Sequence, residues 1–411
     1  MLAYIFGVVL FALGICVSVA LHEAGHMLSA KAFGMKVRRY FIGFGPKVFS
    51  FRRGETEYGV KWIPLGGFCD IAGMTALDEV TPDEAPRAMW RFKTWKRTIV
   101  LAAGSVTHFL LGFIVLYLMA CTMGLPNAMI GKAQIATVAD CVQNATTEDQ
   151  VLNPNCQSTG ATVAPAKAGG LQPGDEIVAV GGTETKTYSD VTAKIQPLSG
   201  PVDFEVKRDG QLIHLTINVA QVERPVSDTS SGSQGATKIV KVGTIGVGFP
   251  TYLHYNAVSA FGGAGMFTAD MFAQTWDRLL EFPERIPAVV HSIFGGERDP
   301  NTPVSVVGAS RIGGEAVEAG LWPLFLILLA SLNFFVGVFN LLPLLPLDGG
   351  HIAVTWYERV RDWVRGLRGK AAGGPVDYTK LSAITMVLVF VGGAVTLLTV
   401  TADIVNPIRL Q

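Results

Sequence analysis

Three residues near the N-terminus are spaced for metal chemistry. In VALHEAGHMLSA, residues 19–30, His22 and His26 stand four apart. On a helix that spacing is one turn, nearly one face, and about 6 Å of rise. Two neutral imidazoles so placed can share a zinc ion. Glu23, rotated by about 100° from His22, is better placed to hold a water than to fill the same coordination position. The pattern His-Glu-x-x-His therefore divides labour between two ligands and a carboxylate base. It lies at the end of an apolar stretch of about bilayer-crossing length, where ionisable side chains are costly and functional by default.

A catalytic zinc usually takes a third protein ligand and keeps one position for water. The stretch FNLLPLLPLDGGH, residues 339–351, offers two candidates, His351 and Asp348, the latter being the only carboxylate between Leu321 and Glu358. Pro343 and Pro346 interrupt a helix there, and Gly349-Gly350 permits a sharp turn that would aim Asp348 inward. A plain helix-ending turn is the other reading of Asp-Gly.

The elements that must position these residues are apolar. The chain has 411 residues, 49% hydrophobic and 16% charged, with a mean hydropathy of +0.38, outside the usual range for a soluble globular protein. Its formal net charge is zero and it has no long basic run. That leaves no electrostatic footprint for nucleic acid and no polybasic tail for anionic lipid. Four blocks approach the roughly 20 apolar residues a span requires: Leu2 to Leu21, Thr98 to Leu125, Leu321 to Leu345 and Leu381 to Val400. The first lacks a basic n-region and a small-residue cleavage site, so it reads as a retained helix.

Basic residues set the expected orientation. Lys36, Arg38, Arg39, Lys47, Arg52, Arg53 and Lys61 follow the first span, and Arg359, Arg361, Arg365, Arg368 and Lys370 precede the fourth. Both loops should be cytoplasmic, with residues 126 to 320 outside. The first and third spans then both run inward, which brings His22, His26 and Asp348 to one depth near the cytoplasmic side. Cys141 and Cys156 fall in the outer segment, where a disulfide can persist; two free thiols are the alternative.

Within the outer segment, Ile177 to Val180, Val202 to Val206 and Leu212 to Ile217 read as strands and Tyr188 to Ile195 as a helix, with turns at Gly181-Gly182 and Asp209-Gly210. The stretch AGGLQPGDEIVAVGG, Ala168 to Gly182, resembles the core signature of a bacterial PDZ domain, a module that binds extended peptides along an exposed sheet edge. SDTSSGSQGATK, residues 227–238, reads as a flexible tether. Met271 to Phe294 mixes apolar and charged residues at helical spacing, suiting an interfacial helix, a clamp on the substrate entrance or an ordinary packing helix.

Together these pieces resemble the site-2 protease family of intramembrane zinc metalloproteases, whose signature pairs His-Glu-x-x-His in one span with Leu-Asp-Gly in a later one. Leu347-Asp348-Gly349 matches the second part. GFGP at Gly43 to Pro46 and PLGGF at Pro64 to Phe68 are similar to the family's membrane-associated hairpin elements. The resemblance implies one catalytic zinc on His22, His26 and Asp348, with Glu23 as base. It further implies substrate contacts at Asn340, for which a helix–helix hydrogen bond is the other reading, and at Gly43, Phe44, Gly45, Gly66 and Gly67. The substrates it implies are single-span membrane proteins already cut by a site-1 protease, such as anti-sigma factors or remnant signal peptides, in a bacterial cytoplasmic membrane.

The expected fold is a polytopic α-helical membrane protein of about four transmembrane helices, with a membrane-associated β-hairpin region and an inserted extracytoplasmic PDZ-like α+β domain. Its expected parts are 1–125, the PDZ-like 126–225, a linker and clamp over 226–320, and 321–411. The chain departs from the family in two places. Gly104-Ser105-Val106-Thr107-His108 stands where a Gly-Pro pair followed by Asn is usual, and Gly308-Ala309 replaces another Gly-Pro. His108 is then either a polar contact in the bundle or an additional metal- or proton-handling group. The rival classes are a non-proteolytic adaptor that presents its PDZ-like domain and a zinc transporter. The spans' scarcity of ionisable residues weighs against the transporter.

Overall fold

A computed structural model describes every residue except 76, 77, 128–132, 148, 149, 152, 153, 228–236, 300, 375 and 411. The longer helices are, in chain order, α1 (Leu2–Ala32), α2 (Thr94–Thr122), α3 (Tyr188–Ile195), α4 (Ala257–Ile293), α5 (Val306–Glu318), α6 (Trp322–Asn340), α7 (Asp348–Leu367) and α8 (Tyr378–Val405). The longer strands are β1 (Val37–Arg53), β2 (Thr56–Ile71), β3 (Glu176–Val180), β4 (Gly200–Arg208), β5 (Gln211–Ser227) and β6 (Thr237–Thr244). The chain forms two compact units, Met1–Leu116 with Met271–Gln411, and Tyr117–Asp270.

In the first unit, α1, α2, α6 and residues Leu381–Val405 of α8 are long and apolar enough to cross a membrane. Small residues let the helices meet closely, as helices in lipid do. A Cβ on Gly7 of α1 would stand 2.8 Å from Val317 Cβ and 2.9 Å from Gly314 Cα of α5. Farther along α1, a Cβ on Gly25 would meet Thr107 Oγ1 at 2.5 Å and the Ala103 carbonyl at 2.6 Å on α2. Phe109 of α2 packs edge-on against Phe272 of α4 at 4.7 Å, and Phe272 does the same to Phe334 of α6 at 5.2 Å. A buried ion pair, Arg298 Nη2 to Asp403 Oδ1 at 2.8 Å, joins the segment before α5 to the end of α8. Asp403 Oδ2 also accepts from the Ser305 amide at the N-cap of α5.

The hairpin folds back on itself, which strand alternation alone does not reveal. Tyr40, Phe41 and Ile42 pair with Cys69, Phe68 and Gly67 on one side and with Tyr58, Gly59 and Val60 on the other. Each long strand thus supplies two segments of a four-segment sheet. Gly43, Gly45 and Gly66, with φ of 87°, 83° and 110°, supply the bends; these left-handed conformations are open to glycine at little cost. Residues 67–71 form one outer edge of that sheet. Tyr40 Oη donates to the Ala20 carbonyl at 2.7 Å and Lys31 Nζ to Tyr58 Oη at 2.6 Å, tying the sheet to α1.

The second unit centres on a five-stranded sheet in the order β6-β5-β4-β3 followed by the short strand Thr183–Glu184. Alternating Phe204 and Val206 of β4 and Ile217 and Val219 of β5 turn inward onto Ile177, Leu171 and Val191, as a one-faced antiparallel sheet requires. Asp209 and Gly210, both at positive φ, make the two-residue β4–β5 turn. A capping box of Thr187 and Asp190 starts α3. Cys141 and Cys156 are disulfide-bonded. Of the stretch read as a tether, residues 228–236 lie outside the described residues, and its flanks Ser227 and Thr237 pair in the β5–β6 ladder.

Two expectations about the third span need correction. Its helix ends at Asn340 instead of Leu345, and Gly349-Gly350 is no turn, because α7 begins at Asp348 and contains both glycines. Their smallness serves packing. A Cβ on Gly349 would collide with the Leu341 carbonyl, and one on Gly350 would lie 2.6 Å from backbone atoms of Leu344 and Leu345. The glycines let α7 turn back against the end of α6.

Candidate metal centre

Helix periodicity puts His22 and His26 on one face of α1, and both are buried. Asp348 comes to them as the first residue of α7. The His22 and His26 Nε2 atoms are 3.2 Å apart, and each lies 3.4 Å from Asp348 Oδ2. Tetrahedral zinc with bonds of about 2.0–2.1 Å has ligand–ligand edges of about 3.3 Å. The triangle therefore has the size of one face of a zinc tetrahedron. Among the described residues, these three form the group of histidine, cysteine and carboxylate side chains whose donor atoms converge in this way.

Neighbouring groups orient the donors. His26 Nδ1 lies 2.7 Å from the Val100 carbonyl of α2. A carbonyl only accepts, so Nδ1 carries the proton and the Nε2 lone pair is left for a cation. His22 Nδ1 is buried without a hydrogen-bond partner among the described residues. Its ring is held by packing, with the His108 ring 4.9 Å away. Gly104 completes the cradle: a Cβ there would collide with His26 Nε2 and stand 2.5 Å from His22 Cε1.

His108 itself makes a bundle contact. Its Nδ1 lies 2.8 Å from Asn333 Oδ1 on α6, and Asn333 Nδ2 donates to the Leu329 carbonyl at 2.8 Å. The amide is thereby oriented with its oxygen toward His108, so Nδ1–H is the donor. His351, the competing third ligand, instead stacks on Tyr378 at 6.0 Å.

Glu23 is half-buried beside the triangle. A Cβ on Gly67 would come within 3.0 Å of Glu23 Cγ and of the Phe41 carbonyl. The outer edge of the sheet thus runs directly past the carboxylate. Gly43, Gly45 and Gly66 sit at the bends, and Phe44 is exposed beside Phe68. Asn340 ends α6, half-buried. Next to it, Trp276, Leu280 and Pro283 of α4 line an apolar groove with Phe339 and Leu342. Sequence reading gave Gly104 no part in the metal site and overlooked Asn333. Both act across helices, and no local spacing encodes such contacts.

Residues 10–384 match the sequence profile of Peptidase family M50. The chain is 47% identical over 408 residues to the zinc metalloprotease Rip1 of Mycolicibacterium smegmatis, covering 98% of each chain. It is 44% identical over 409 residues to the Rip1 of Mycobacterium tuberculosis strain H37Rv, covering 99% of each. To metalloprotease MmpA of Caulobacter vibrioides it is 28% identical over 377 residues, covering 85% of each.

Proposed function

Because the chain belongs to Peptidase family M50 and is thus an intramembrane zinc metalloprotease of the site-2 type, we propose that His22, His26 and Asp348 hold its zinc and that Glu23 is its general base. The observation that carries the assignment is the triangle of donor atoms at 3.2, 3.4 and 3.4 Å, with a carboxylate one residue from the first ligand. When bound, zinc supplies a Lewis acid for a peptide carbonyl and acidifies water to near neutrality. Glu23 takes the proton from the attacking water and returns it to the departing amide nitrogen. The Val100 carbonyl holds His26 in the tautomer this requires.

The substrate is a peptide bond within a transmembrane segment of a single-span protein. Such a bond is hydrogen-bonded within its own helix and must be unwound before attack. The sheet edge at residues 67–71 offers replacement backbone partners, so that an extended substrate adds as a strand past Glu23. Gly43, Phe44, Gly45, Gly66 and Gly67 shape that edge, while Asn340 and the groove beside it receive the far side of the substrate. Proline at position 68 should abolish cleavage of a membrane-spanning reporter while sparing zinc content; undiminished cleavage would count against strand addition.

The second unit reads as a PDZ-like module on the extracytoplasmic side, with the metal near the cytoplasmic side. Support comes from the positions of the basic loops, from the disulfide, and from a groove lined by Tyr188, Thr192 and Ile195 of α3 and by residues 243–247 and Phe249. Substrates trimmed by a site-1 protease, anti-sigma factors or remnant signal peptides among them, suit this architecture. The deciding experiment is Glu23→Gln. The variant should keep its zinc and lose all reporter cleavage, and cleavage at the parent rate would sink the assignment.

A further inference from the structure

The helix that carries Asp348 is exposed on the wrong side for a water-facing element. Trp356, Val360, Trp363 and Leu367, at i, i+4, i+7 and i+11 of α7, share one face and are 48%, 52%, 61% and 70% exposed; Tyr357 beside them is 60% exposed. The charged face is the one turned onto the protein. Arg361 Nη2 donates to the Gly373 and Gly374 carbonyls at 3.0 and 2.7 Å, and Arg365 Nε donates to the Ala371 carbonyl at 2.8 Å. Glu358 accepts from Arg97 and from the Val376 amide. An amphipathic helix facing water would be built the other way round.

We propose that α7 lies in the membrane interface, with its aromatic face in the acyl boundary and Arg359, Arg368 and Lys370 on anionic phospholipid headgroups. Continuity with the bilayer supports this occupant. The helix is joined at one end to α6 and at the other to α8, both of spanning length and composition, so its exposed face has lipid within reach. Charge complementarity supports it too, since Arg359, Arg368 and Lys370 are exposed along the flank and end of the stripe. Tryptophan, tyrosine and arginine are the side chains that favour this boundary. Arg359 lies on the helix and Arg368 and Lys370 just past its end, so they form no continuous run in the sequence.

A consequence reaches the metal. Asp348 is the first residue of α7, so the depth at which lipid holds this helix sets the position of the carboxylate relative to His22 and His26. This part rests on the ligand role proposed for Asp348.

The test uses the full chain in nanodiscs of phosphatidylcholine, with or without phosphatidylglycerol. The fluorescence lost in a Trp356→Phe, Trp363→Phe variant isolates the signal of those two side chains. Acyl-brominated lipid should quench that signal, aqueous iodide should not, and phosphatidylglycerol should deepen the quenching and slow zinc loss to a chelator several-fold. Arg359→Glu with Arg368→Glu should remove the phosphatidylglycerol effects alone. Quenching by iodide, or protection that depends on protein concentration, would overturn the proposal in favour of water or a second copy. Asp348→Asn separates the two readings: if the ligand role is right it loses zinc, and if α7 is interfacial its tryptophans stay quenched.

Discussion

At position 104, one hydrogen in place of a methyl decides whether two imidazoles can meet. The space a side chain would fill there is occupied by His22 and His26. Gly104→Ala should therefore weaken zinc binding by about 10- to 100-fold, the range typical for groups that orient metal ligands, as measured by competition with a chelator; unaltered affinity would show that the rings have room to move. The variant should still insert and fold, because the affected turn lies within an otherwise regular helix. His22, Glu23 and His26 were legible in the sequence because their spacing is local and helical. His108 was legible as one of two readings, a polar contact in the bundle, but Gly104 and the partner Asn333 were not, since the His108–Asn333 hydrogen bond joins residues 225 apart on elements whose relative rotation no single stretch specifies.

At the scale of elements, the folded-back sheet is where local pattern and structure part company. Alternation predicts β1 and β2 equally well as one long ladder or as four segments; the bends at Gly43, Gly45 and Gly66 choose the second. An arginine of the inner β1 segment anchors the loop that leads to α2. Arg38 contacts both carboxylate oxygens of Glu84 and reaches Asp78 at 2.9 Å. These hydrogen bonds lower the Glu84 carboxyl to about 2. A depressed folded-state pKa stabilises above the unfolded value, near 4.5, and that contribution fades as pH falls toward 2. Arg38→Gln should return Glu84 to the ordinary carboxylate range and remove the contribution at neutral pH. Faster amide exchange across residues 78–91 at pH 7, with little further change on acidification to pH 4, is the expected result. Exchange matching the parent at pH 7 would show that the pair does not hold the loop.

For the whole molecule, composition and hydropathy predicted a membrane protein, and four helices of spanning length among the described residues agree. The disulfide was one of two open readings. It closes a loop of sequence separation 15, for which the chain-entropy estimate is about 3 kcal/mol. Replacing both Cys141 and Cys156 by Ser should lower the stability of the Tyr117–Asp270 unit by roughly that amount. Cleavage of a reporter with no outer domain should persist, because the residues proposed to hold the metal lie in the other unit. Loss of zinc in the double variant would contradict that separation.

If His22 and His26 hold the metal as proposed, their depth along α1 also fixes what becomes of the two product pieces. From Leu2 to His22 the helix rises roughly 30 Å, about the full thickness of a hydrocarbon layer. A bond cut at that level leaves one fragment with almost the whole apolar segment and the other with a stub of a few residues. The first stays dissolved in lipid. The second no longer buries enough hydrocarbon to remain there and diffuses away in water. A single hydrolysis thus sorts a protein's two halves into different phases.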